Sequence, residues 1–441
     1  MLFRSWDNCS TFASEMDIVN LIKSSGARNF AKLLSANVLA QVIGLIVYPI
    51  LTRIYSPEDF GLLNLFLSIG GVLLILSTAE YYNAIVLPKE DKEAVGVVHL
   101  SLLLLLATVV LTGISVLFSD SIAKIFDTPD LAKYYWLMPI MVFVLGAWNI
   151  LNYWYIRREQ YNRISGYQLS QSVLSASSKI GLGYVGLLRC GMIISAVLAP
   201  LVSLLVSIGI SFSREKQLLL QFSKANICRM ANIYRNFPIY SLPRSMVNMV
   251  AGQLPVLLLT PIFGSKEVGF WSMALMLGFV PISVITKSLY QVLYQQITTL
   301  VNDNQLIGSV LRRFTIGVLI VGAPVAVGLY FVLPVLTEWF LGSGWETTGQ
   351  YIRWMLPWLL CVFLAASTSF LSDVFFKQKI GLYFELLIAL MRTVGVCIGV
   401  WLHDFSFSVA GYAIGSAVAV MAQYVWLMSL VRKHDRKILS Q

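Results

Sequence analysis

The chain has 441 residues, of which 57% are hydrophobic and 12% charged, with 32 Lys and Arg against 22 Asp and Glu for a formal net charge of +10. So little charge on so long a chain excludes an ordinary soluble domain and describes a polytopic membrane protein. The positive balance reads as a topology signal, and without a soluble basic domain it does not indicate nucleic-acid binding.

Runs of roughly 20 apolar residues predict twelve transmembrane helices. They lie near 31–51, 61–87, 95–118, 134–156, 164–188, 191–212, 237–262, 268–294, 314–341, 350–376, 382–402 and 407–431. Residues 1–30 form a cytoplasmic lead-in without the apolar run and cleavage site of a signal peptide. Within it Met16 is an alternative start, and Ile18 to Lys32 reads as an interfacial amphipathic helix or a polar lead-in. Residues 213–236, rich in Lys and Arg, form a cytoplasmic linker, and 432–441 a cytoplasmic tail. With the N-terminus inside, 22 basic residues face the cytoplasm, 6 face outward and 4 lie in the membrane, so both termini are expected in the cytoplasm. Cys9, Cys190, Cys228, Cys361 and Cys397 have neither CxxC nor Cys/His spacing, so all five read as free and no metal site is expected.

The chain repeats itself. Arg28-Asn29-Phe30 recurs as Arg235-Asn236-Phe237 at an offset of 207, and Leu51 to Gly61 (LTRIYSPEDFG) matches Leu259 to Gly269 (LTPIFGSKEVG) at an offset of 208. Trp136-Leu137-Met138-Pro139 is echoed by Trp354-Met355-Leu356-Pro357. A repeat of six spans keeps its orientation, so the halves, 31–212 and 237–431, are expected as parallel six-helix bundles about an axis along the membrane normal. Pro238, Pro243, Pro255 and Pro261 are expected to kink the seventh span.

Lys179, Arg244, Lys287 and Arg392 sit within apolar spans, where each costs about 2.5–3.5 kcal/mol unless something offsets it. An internal acid or an anionic substrate could do so. Gln168, Ser172, Ser175 and Lys179 share one helical face, as do Ser241, Arg244, Ser245, Asn248 and Gly252, and Ser283, Lys287, Gln291 and Gln295. Such stripes line a cavity or glue helices together by hydrogen bonds. The repeat offset carries Arg244 onto Asn37, Asn248 onto Gln41 and Lys287 next to Glu80. The expected cavity therefore holds Arg244, Lys287, Lys179 and Arg392, with Asn37, Gln41, Asn248 and Gln291 as further polar lining. Glu80 and Glu385 are the carboxylates considered for ion coupling, Glu80 alternatively pairing with Lys287 or Arg244. The run Trp148, Asn149, Asn152, Tyr153, Trp154, Tyr155 reads as an interfacial belt or a sugar-stacking surface. No P-loop occurs, and no cofactor is expected.

LTRIYSPEDFG (51–61), AIVLPKEDKEA (84–94), PIYSLPRSMVN (238–248), FGSKEVGFW (263–271) and GSGWETTGQYIRWMLP (342–357) resemble the Wzx-type O-antigen flippases, in the polysaccharide-transporter branch of the multidrug/oligosaccharidyl-lipid/polysaccharide flippase superfamily. Glu80-Tyr81-Tyr82 departs from the Arg-Tyr-Glu-like triplet common there. The resemblance implies a V-shaped, MATE-like cleft between the bundles. It also implies flipping of an undecaprenyl-diphosphate-linked oligosaccharide across the bacterial inner membrane, as part of polysaccharide or lipopolysaccharide biosynthesis. Its expected partners are that lipid-linked substrate, membrane lipids and other polysaccharide-assembly proteins. The alternatives are a multidrug or cation antiporter of the same superfamily and a membrane glycan polymerase or ligase. An enzyme of the latter kind is disfavoured because the longest outer loop, Ser119 to Lys133, is too short to build a domain.

Overall fold

The computed structural model describes residues 25–219, 221–375 and 377–440, which contain helices and turns but no strand. Helices suit a bilayer because each satisfies its backbone N–H and C=O groups internally. The first group is α1 (Ser25–Ile54), α2 (Pro57–Ser77), α3 (Asp91–Ser115), the short α4 (Ser119–Ile125) and α5 (Pro129–Tyr134), α6 (Met138–Arg157), α7 (Tyr161–Tyr184) and α8 (Leu188–Leu219). A linker helix, α9 (Lys224–Ile233), leads to α10 (Leu242–Asn302), α11 (Gly308–Leu341), α12 (Glu346–Ala365), the one-turn α13 (Leu371–Val374), α14 (Gln378–Trp401) and α15 (Phe405–Leu439).

Among the described residues, eight stretches are long and apolar enough to cross a membrane. The difference from the twelve expected has local causes. The apolar part of α1, Val38–Ile54, is short, and Phe237–Ser283 runs through two expected spans as one stretch. Neither α7, with its polar stripe, nor α12 is among the eight.

Several helix ends follow from local chemistry. Ser56-Pro57-Glu58-Asp59 is a capping box: Asp59 N–H donates to Ser56 Oγ at 3.3 Å, and Ser56 N–H donates to Asp59 Oδ2 at 2.9 Å. The cap of α11 comes instead from far along the chain. Asp435 of α15 accepts the backbone N–H groups of Ile307 and Gly308 at 3.1 and 2.9 Å. Asp435→Ala is expected to cost about 0.5–2 kcal/mol, as lost helix caps do, visible as a lower unfolding midpoint in detergent, with Asn restoring only part of it because its amide offers one acceptor for two N–H groups.

The proline-rich stretch bends differently from expectation. A π-helical turn covers Phe237–Ser241, but Pro255, Pro261 and Pro281 lie inside α10, and the break in α10 falls at Gly264. There φ is 84° and ψ 167°, a conformation open to glycine and strained for other residues.

Lipid tails are as apolar as leucine, so helices in a membrane associate largely through close packing of small residues. The pair α14 and α15 shows this. Gly395 and Gly411 face each other so closely that a Cβ on either would strike the other's carbonyl oxygen, while Gly399 abuts the Ser408 backbone and Gly415 the Met391 carbonyl. Helices up to α8 pack mainly on one another, through α1 on α7, α7 on α8 and α3 on α6; α11, α12, α14 and α15 form a second packed set. The two sets meet chiefly where α2 lies along α10. Ser68 Oγ donates to Gln253 Oε1 across that seam at 2.7 Å.

Candidate functional site

A cavity of about 530 Å³ lies between α1, α7 and the part of α10 beyond Gly264. One wall is polar: Gln168, Gln171, Ser172, Ser175 and Lys179 of α7, joined by Gln41 of α1. Their spacing along α7 places them on one face, two to three helical turns long. The other walls are apolar and include Val42, Leu45 and Val47 of α1 and Met276, Val280 and Ile285 of α10, with Tyr48 offering a hydroxyl. The wall is held in place by its own backbone contacts. Ser172 Oγ donates to the Ala40 carbonyl at 3.0 Å, and Tyr55 Oη donates to the Lys179 carbonyl at 2.6 Å, pinning α7 to α1 at two depths.

Lys179 is the one charged residue of this lining among the described residues. No ion pair between Lys179 and a carboxylate occurs among the described residues. A half-buried ammonium among amides and hydroxyls keeps its donors for whatever enters, which a paired lysine could not do.

The structure brings together Lys179 and Gln41 of the expected set, and it does not bring Arg392. That arginine lies within the second helical set, where its Nε donates to Ser416 Oγ at 3.0 Å and its guanidinium sits 5.7 and 5.4 Å from the ring centres of Trp358 and Tyr412. Two aromatic faces and a hydroxyl offset its charge, so no substrate is needed to do so. Arg392→Gln is expected to reduce protein abundance in the membrane, measured by immunoblot against wild type.

Arg244 is exposed on the first part of α10, away from the cavity lining. The backbone of Lys287, Gln291 and Asn248 belongs to α10 and that of Asn37 to α1, but these four side chains lie outside the described residues. Glu385 is exposed on α14, not in the cavity.

Glu80 is not within a span: α2 ends at Ser77, and Ala79 and Glu80 follow with φ of 47° and 64°, before a 3₁₀ segment at Tyr81–Val86. The residue is 5% exposed, and its carboxyl accepts hydrogen bonds from Asn83 Nδ2 and from Ser245 of α10. Burial pushes this carboxyl above the usual range, the two hydrogen bonds opposing it. No ion pair between Glu80 and Arg244 occurs among the described residues, and the Lys287 side chain lies outside them.

The aromatic run also divides. Trp154 and Tyr155 are buried in the core of the first helical set, and Trp148 stacks on Tyr167, so helix packing occupies these rings in place of an interfacial belt or a sugar surface. Sequence reasoning missed Gln171 and Tyr48. Both were signalled: Gln171 lies four residues before Ser175 on the polar face, and Tyr48 lies two turns beyond Gln41.

The four described cysteines, Cys190, Cys228, Cys361 and Cys397, are free, and Cys9 lies outside the described residues.

A family model described as "Polysaccharide biosynthesis protein" matches residues 50–349, well over half of the chain. The succinoglycan biosynthesis transport protein ExoT of Rhizobium meliloti (strain 1021) is 21% identical over 304 residues, 68% of this chain and 59% of ExoT, so the alignment spans less than two thirds of that relative. Among solved structures, an inward-facing multidrug resistance MATE family transporter of the MOP superfamily superposes with a TM-score of 0.67 at 17% identity, covering 90% of this chain and 96% of the other. The lipid II flippase MurJ, in an inward closed conformation, gives a TM-score of 0.67 at 14% identity over 92% of this chain and 89% of its own. The chain thus belongs to the polysaccharide biosynthesis protein family, with the helical membrane fold seen in MATE and MurJ.

Proposed function

We propose that this protein is a flippase that carries an undecaprenyl-diphosphate-linked oligosaccharide, such as an O-antigen repeat unit, across the bacterial inner membrane. In this reading the halves 31–212 and 237–431, joined by the cytoplasmic linker 213–236, make twelve crossings with both termini inside. They alternate access to the cavity at the expense of an ion gradient, and no bond in the substrate is made or broken.

The cavity itself carries the reading. A lipid-linked glycan is an amphiphile with an apolar chain and an anionic diphosphate, and the cavity has a wall for each. The aliphatic faces of α1 and α10 suit the chain, while Lys179 beside three glutamines and two serines suits phosphate oxygens and hydroxyls. A cation exporter needs the opposite electrostatics, and no carboxylate lines this space among the described residues. The family match and the succinoglycan transport relative support a polysaccharide precursor as cargo.

Deleting the gene in the source organism tests the proposal. Lipid-linked repeat units should accumulate on the cytoplasmic leaflet, with their glycosyltransferases intact and surface polysaccharide lost. Normal surface polysaccharide with no such accumulation would sink the flippase reading, and a gain in sensitivity to cationic drugs alone would favour the antiporter.

A further inference from the structure

We propose that the outer end of the transport path is closed by a crossing of two repeat-related glycines, Gly61 of α2 and Gly269 of α10, which must part and re-form in each cycle. The proposal rests on the transport reading above. Gly61 and Gly269 are separated by the 208 residues that relate the two copies of the repeat, and so are Pro57 and Ser265.

In the structure the contacts are reciprocal: a Cβ on Gly61 would strike the carbonyl oxygen of Ser265, and a Cβ on Gly269 that of Pro57. Each half therefore offers a glycine to the helix start of the other, as a two-fold axis through the crossing produces. A single methyl group on either would have to displace backbone, which cannot give way as a flexible side-chain end can.

The contacts around the crossing extend the closure. Trp345, 2% exposed just before α12, packs edge-on against Phe60 of α2 at 5.4 Å and Phe270 of α10 at 5.6 Å. Its Nε1 donates to the Thr52 carbonyl at 3.1 Å, and Thr52 Oγ1 donates to the Leu341 carbonyl at 2.6 Å. All of these residues lie near the α1–α2 turn, the break in α10 and the α11–α12 turn, the ends placed outward by the distribution of basic residues.

Two features distinguish this crossing from a permanent seam. The contacts are van der Waals or neutral hydrogen bonds apart from Arg53 donating to the Phe340 carbonyl, and no ion pair joins the halves here among the described residues. Next to the crossing stands Gly264, whose Cβ would meet nothing within 4 Å. Its glycine serves backbone conformation and not packing, which suits a hinge.

The test uses full-length protein with its five cysteines replaced by serine. Thr52→Cys paired with Leu341→Cys should be joined by a short thiol cross-linker, export should be lost, and cleaving the linker with reductant should restore it. Failure to cross-link, or export that continues in the cross-linked protein, overturns the gate. Separately, Thr52→Cys alone should react with a membrane-impermeant maleimide on spheroplasts several-fold faster when Gly61→Ala or Gly269→Ala is added, but not with Gly317→Ala, a position with open space around it. Unchanged labelling in both glycine variants also overturns the proposal. Labelling needs no substrate. If gene deletion left export intact, the functional reading would fall while the accessibility result still decided the gate.

Discussion

Lys179→Ala is expected to abolish most polysaccharide export while leaving as much protein in the membrane as wild type. A charge-assisted hydrogen bond to a phosphate is worth roughly 1.5–3 kcal/mol, which corresponds to a ten- to hundred-fold weaker grip on the headgroup. Removing the ammonium also relieves about 2.5–3.5 kcal/mol of intramembrane charge cost, so the thermal unfolding midpoint should stay level or rise. This combination of lost transport with unchanged or higher stability is what separates a substrate-binding lysine from a structural one. Lys179→Arg keeps the charge and should retain part of the export, whereas Lys179→Gln should resemble alanine. Wild-type export by Lys179→Ala at equal abundance would remove the cavity from the proposed path.

Gly411→Leu is expected to have the largest structural effect, with little protein surviving in the membrane. The Gly395 and Gly411 backbones touch, so any side chain on either must push α14 from α15 along their whole contact, including Gly399 on Ser408 and Gly415 on Met391. Overpacking in ordinary cores costs about 1–3 kcal/mol even when side chains can shift; here the obstacle is main chain. Gly411→Ala should already lower the unfolding midpoint measured by tryptophan fluorescence in detergent. The contrasting variant is Gly328→Ala in α11, where nothing lies within 4 Å. It should be neutral or slightly stabilising, because alanine favours helix over glycine by about 1 kcal/mol. Equal behaviour of the two alanine variants would show that the α14–α15 contact does not limit stability.

Much of the fold was legible because its causes are local or periodic. Apolar composition demanded helices, the polar stripe on α7 declared a face, and the repeat offset of 208 returned as the reciprocal contacts of Gly61 and Gly269. Arg392 was not legible in the same way. Its charge on an apolar helix looked like that of Lys179, yet one is held between Trp358 and Tyr412 while the other lines open space. Which partner meets a side chain is settled by residues on other helices, 20 to 34 positions away for Arg392, and neither hydropathy nor spacing records them. The end of α2 at Ser77 was likewise hidden, since the apolar run continues through Val86 while the backbone turns at Ala79 and Glu80.

By itself, then, the amino-acid sequence determined a helical, repeat-built membrane protein with basic residues in its spans, because hydropathy and helical period act over neighbouring residues. The tertiary structure gave Lys179 and Arg392 different surroundings. It placed Lys179 and Gln41 around one cavity, set Arg392 against two aromatic rings and set Glu80 beside Ser245. The physical reason is that a buried charge is stabilised by whatever surrounds it in space, and those surroundings exist only once the helices have packed.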